Sequence, residues 1–326
     1  EVPAAGYEFV DGEGEFDGYW VLTEKSYAEI NGKGYPTLGA AIDALEGGET
    51  ITLKDDYTLT ADETKIFTKN AILDLGEKTL TVPESLRKSE ASFEVAAGAT
   101  VTIQNGTIDL GTTGTSYGIA VLGTLNVNCT VKKAGSSGPA FDSYAGTVNF
   151  GAAADVTSDC DVVRVKSLRG DEDEVTNVVT TVTVADGAKL KATGTGKPIF
   201  YCYKTCTTLD ATLNGGEFTA ACGVFGDQNK TAAGSDETWD VTIDAAKAKF
   251  ANDKIEYGTA VGKIIPNQKA ILNTGDNWYY LQPAAKVAIT ATAATEPTRS
   301  TVSGWTGFPK YSGTKCVRGF SIICCF

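Results

Sequence analysis

Between Asp159 and Glu174 the chain reads DCDVVRVKSLRGDEDE: carboxylates, a guanidinium and ammonium groups beside one short strand, followed by four consecutive acids. Asp161, Arg164 and Lys166 are expected to point outward from that strand, with Asp171, Glu172, Asp173 and Glu174 forming an acidic loop beside them. Two chemistries use such groups. A base paired with carboxylates can work on an acidic polysaccharide, and Asp171, Asp173 and Glu174 are candidate calcium ligands. Calcium takes about six to eight converging oxygens, and nothing in the spacing fixes that many here. Like charges in a row ordinarily repel one another and stay solvated. The expectation is an inserted, solvated loop with no catalytic residue and no cofactor, calcium being the one ion to consider.

The other reactive residue types narrow the field. The chain contains no His, which removes Ser-His-Asp and Cys-His nucleophile systems. Its eight cysteines are Cys129, Cys160, Cys202, Cys206, Cys222, Cys316, Cys324 and Cys325. Cys202 and Cys206 stand four apart, but no second pair at zinc-like spacing accompanies them. In an exported chain all eight become disulfide candidates, with the pairing open. The stretch IFYCYKTC places Phe200, Tyr201 and Tyr203 on one strand, and these aromatics are expected to pack rather than to form a platform for sugars.

The net charge of −13 and pI near 4.6 argue against a nucleic-acid partner, which needs a basic footprint. No apolar stretch approaches the roughly 20 residues of a membrane-spanning helix. The opening EVPAAGYEF lacks the basic and apolar regions of a signal peptide, and the chain has no Met. A mature protein is expected, extracellular or on the cell surface, after removal of its leader.

These groups must be positioned by strands. Alternating segments recur at 51–53, 72–75, 101–103, 125–127, 148–150, 182–184, 211–213 and 241–243. Several are preceded by a second strand ending in a small-residue turn, as in SFEVAAGATVTI and YGIAVLGTLNV, and followed by a third, as in NGTIDLG and DGAKLKATG. Such a three-strand unit cannot bury its apolar face alone and must stack on its neighbours. The predicted fold is all-β, a right-handed parallel β-helix of three-strand coils over 49–282. An N-terminal segment and capping helix fill 1–48, and a C-terminal strand and Cys-containing tail fill 283–326. A β-sandwich is the alternative, but the Asn-Gly hairpin signal stands out only at Asn105–Gly106. A threonine array of the ice-binding kind is not expected, because the threonines do not recur at one fixed place in successive coils.

In NGKGYPTLGAAIDALEGGETITL, Pro36 suits the first helical position. Leu38, Ala41, Ile42 and Leu45 form one apolar stripe, and Gly47–Gly48 ends the helix. Such a helix covers the open end of the first coil. The stretch YAEINGKGYPTLGAAIDALEGGETITLKDDYTLT resembles the opening module of pectin-lyase-like β-helix proteins found on the surfaces of Gram-positive and gut bacteria. The resemblance covers 27–60 by motif and the coils behind it by periodicity. It implies an exported surface protein with adhesive, scaffold or carbohydrate-facing roles. The Gly-His-Gly segment that hydrolases of this fold use is missing, as is any paired-aspartate motif.

Beyond residue 282 the coil pattern gives way to one alternating segment, KVAITATA, and a tail carrying Trp305, Lys310, Lys315 and Arg318. Val287, Ile289 and Trp305 are the assembly candidates, able to cap their own chain or add a strand to another subunit. The expected function is a structural building block of an extracellular filament or layer, a homopolymer. The alternatives are an adhesin contacting a glycan or host surface and, behind it, a polysaccharide lyase or hydrolase.

Overall fold

A computed structural model describes residues 2–4, 6–60, 62–63, 65–83, 93–111, 118–135, 138–166, 178–203, 207–220, 224–227, 238–244, 247–250, 268–273 and 278–281. The alternating segments become strands of one parallel sheet. Glu49–Leu53 pairs with Ala71–Asp74, and the order continues through Thr100–Asp109, Thr124–Lys133, Thr147–Phe150, Val178–Val184, Thr207–Leu213, Thr238–Asp244 and Gln268–Asn273. A second sheet takes the short strands that follow each of these, from Tyr57–Thr58 to Lys249–Phe250. The third sheet has seven strands, from Ile66–Phe67 to Phe225–Asp227. This is the expected parallel β-helix.

Parallel pairing aligns inward side chains into columns. Ile51, Leu73, Ile103, Val127, Phe150, Val184 and Leu213 follow one another in register, and all are buried. Aromatic residues fill the corners, with Phe141 and Phe150 edge to face at 5.5 Å. Cys129 takes an inward place between Val127 and Val131 in the alternating run of Thr124–Lys133, serving there as a small apolar residue.

Asn105–Gly106 makes no hairpin. Asn105 adopts a φ of 58°, and the pairing register shifts between Gln104 and Thr107, so one strand bends from the first sheet into the second. A Cβ on Gly106 would stand 2.5 Å from the Lys78 carbonyl oxygen, which explains the glycine. The Asn-Gly hairpin is at Asn31–Gly32, where φ is positive at both residues. We number the N-terminal elements β1 (Tyr7–Asp11), β2 (Trp20–Glu24), β3 (Ala28–Ile30), β4 (Lys33–Tyr35) and α1 (Leu38–Ala44). That hairpin joins β3 to β4, and β3 also lies antiparallel against Glu49–Leu53.

Helix α1 starts after Thr37, whose hydroxyl accepts the Ala40 N–H at 3.0 Å, so Pro36 precedes the cap and is not the first helical residue. Leu38, Ala41, Ile42 and Leu45 are all buried, as the stripe requires, and the helix lies against β3, β4 and Glu49–Leu53. Phe150→Ala, which empties a column position 1% exposed, should cost about 3–5 kcal/mol in denaturant unfolding. Thr183→Ala, on the outer side of the same sheet, should stay within about 0.5 kcal/mol.

Candidate functional site

The third sheet gathers the charged residues. Its register sets Glu94, Ala120, Asp142, Arg164 and Tyr201 in one row across successive coils. Asp142 is fully buried; its Oδ2 accepts the Gly118 N–H at 3.1 Å, and its Oδ1 lies 3.2 Å from Lys166 Nζ. Arg164 donates through Nε and Nη2 to Asp161 Oδ2 at 3.0 and 2.7 Å and stacks over the Tyr201 ring at 5.8 Å. Burial acts to lower the Arg164 pKa, but the Asp161 and Asp142 carboxylates outweigh it and hold the guanidinium above its ordinary range. Lys166 also sits over Tyr144, 5.6 Å from the ring centroid.

Arg164 and Lys166 alternate with the buried Val163 and Val165, as outward positions should, yet these charges are withdrawn from water, and the acidic loop 171–174 lies outside the described residues. Asp161 is 1% exposed and Lys166 8% exposed. Each charge has an opposite charge on its own or the neighbouring coil, so the set can leave water without isolating an ion. Among the described residues no group of three or more Cys, Asp or Glu could hold a metal ion. The calcium candidates Asp171, Asp173 and Glu174 lie outside the described residues. Phe200 is buried and Tyr201 half-buried against Arg164, in keeping with packing.

Cys129, Cys160 and Cys202 are buried thiols, and none is joined in a disulfide. Burial pushes the Cys129 thiol up to about 12. Burial, then the Asp161 carboxylate, raises Cys160, whose sulfur accepts from Arg164 Nη2 at 3.4 Å. Cys206, Cys222, Cys316, Cys324 and Cys325 lie outside the described residues, as do Val287, Ile289 and Trp305.

The outer face of the first sheet differs from the expectation of scattered threonines. Thr100, Thr124, Thr147 and Thr181 occupy one column, and Thr102, Asn126, Asn149, Thr183 and Thr212 the next. Turn lengths vary between coils, so a count along the chain conceals what the pairing aligns. Asn149 Nδ2 donates to Asn126 Oδ1 at 2.9 Å, and Asn126 Nδ2 donates to Thr102 Oγ1 at 3.1 Å. Over these coils the Thr and Asn columns form an uncharged hydrogen-bonding strip, and beyond Thr181 the first column passes to Asp210 and Asp240.

A second surface has no counterpart among the sequence motifs. Strands β1 and β2 pair antiparallel from Tyr7–Glu24 to Asp11–Trp20 and, among the described residues, with no other strand. Register places Tyr7, Phe9, Leu22 and Trp20 on one side. Trp20 is 70% exposed and Leu22 50%, and Tyr19 and Phe16 in the connection are 69% and 59% exposed. The alternation YEFV and WVLT was the available signal, hidden by three glycines and three acids between the strands. No protein family, curated protein or solved structure matches the chain.

Lys166→Met should cost about 3–5 kcal/mol because it strands the buried Asp142 carboxylate, and adding Asp142→Asn should recover part of that loss. Chemical denaturation of the two variants tests the pairing. Alkylation at pH 8 without reductant should leave Cys129, Cys160 and Cys202 unmodified in the folded chain and label all three in denaturant. Labelling that requires a reductant would show that they are oxidised.

Proposed function

We propose that this chain is an exported structural protein of the pectin-lyase-like β-helix type, a building block of a bacterial cell-surface filament or layer. The exposed β1–β2 hairpin carries the reading. A lone two-stranded hairpin is marginal in water. Its edges, unpaired among the described residues, and its Tyr7, Leu22 and Trp20 side are what a further strand or subunit would cover. Contact through strands is favoured because the exposed aromatic residues lie on the hairpin; among the described residues, antiparallel strands bound the first sheet at both limits. These are β3 against Glu49–Leu53 and Trp278–Leu281 against Gln268–Asn273.

The uncharged Thr and Asn columns support a second reading, an adhesin that holds a neutral glycan along the coil axis. Hydroxyl and amide groups repeat there at the inter-strand spacing of about 4.8 Å, close enough for one extended chain to touch several coils.

Sedimentation velocity of the purified chain should show oligomers that grow with concentration, and Trp20→Ser with Leu22→Ser should shift the population toward monomer. A wild-type monomer at every concentration would overturn the assembly reading. A neutral-glycan array signal lost in Asn126→Ala with Asn149→Ala would favour the adhesin instead.

A further inference from the structure

The N-terminal hairpin is selective in charge as well as apolar. Residues 1–24 carry Glu1, Glu8, Asp11, Glu13, Glu15, Asp17 and Glu24 and no Lys or Arg. Two such hairpins facing each other would bring like charges together, which weighs against self-pairing. A basic partner with strand-forming alternation fits instead. Residues 284–326 carry Lys286, Arg299, Lys310, Lys315 and Arg318 against the single acid Glu296. The same stretch contains KVAITATA, an alternating pattern that in an extended strand would set Val287 and Ile289 on one side and Ala288 and Thr290 on the other.

We infer that the hairpin of one copy receives residues 286–293 of a second copy as a third strand. The added strand supplies backbone partners to one free hairpin edge. Val287 and Ile289 meet the side bearing Tyr7, Leu22 and Trp20, and the basic residues further along the donated segment meet the acids of the hairpin. The lengths agree: β1 and β2 have five residues each, and the eight residues of KVAITATA span either of them. One copy then offers an acceptor at its start and a donor at its end, a head-to-tail contact that propagates wherever rotation does not close it. The inference rests on the assembly reading and names the contact within it.

The test uses the full-length chain with a photo-crosslinking residue in place of Leu22, mixed from isotopically labelled and unlabelled copies. Crosslinks joining position 22 of one isotope to 286–293 of the other are expected. Charge provides a second arm. Glu13→Lys with Glu15→Lys should weaken association at least about tenfold, and Lys310→Glu with Lys315→Glu in the partner copy should restore it. Wild-type oligomers whose crosslinks map elsewhere, or only within one copy, would overturn this contact while leaving assembly standing. A wild-type chain that never associates would overturn both.

Discussion

Parallel pairing between successive coils is the constraint on which everything else in this protein depends. The side-chain period along a strand is two, so a slip of one residue between neighbouring coils would turn Val127 or Phe150 outward and draw Asn126 or Asn149 into the core. The buried columns and the polar columns are thus fixed by the same hydrogen bonds. Turns can then vary in length without disturbing either, provided each returns the chain to register. Asn105–Gly106 shows how local that requirement is: one residue with positive φ and one without a side chain redirect a strand between two sheets.

The three faces built on this scaffold differ because their outward residues differ. The first sheet shows hydroxyls and amides over its middle coils, with Asp74 in register with Gln104 and Asp210 with Thr181. The second alternates Asp155, Lys189, Glu217 and Lys249 down one column, with Lys249 and Glu217 3.0 Å apart at an exposed site where such a pair contributes little to stability. The third withdraws its charges from water. Lys166 and Asp142 are 10% and 0% exposed at the side chain, so their attraction is only weakly screened and the loss of either partner is costly.

The sequence made the core legible because burial alternates in strict step with hydrophobicity. From Ile51 to Leu213 the strands read from pattern alone are the strands that form. The α1 stripe was equally legible, although its start moved past Pro36 because the Thr37 hydroxyl caps it. Contacts between coils were not legible. Asp142 and Lys166 are neighbours through register, not through spacing, and inspection of one strand at a time sends Lys166 into solvent. The threonine columns were missed for the same reason. The β1–β2 hairpin escaped because its strands lie outside the coil repeat and its connection is rich in Gly and acidic residues.

A stack of parallel coils has two open edges on every sheet, and either can add strands without limit. Here, among the described residues, the first sheet ends in a reversal at both limits, β3 at one and Trp278–Leu281 at the other. Beyond β3 lies β4, which covers its outer side. Helix α1 adds an apolar seal over the first coil through Leu38, Ala41, Ile42 and Leu45. The first coil is thus covered by β3, β4 and α1, while β1 and β2 pair only with each other among the described residues. The Trp20 and Leu22 side of that hairpin also carries Asp11 and Glu24, so apolar and acidic residues share one face. Apolar area interspersed with acids favours a basic partner over a second surface of the same charge.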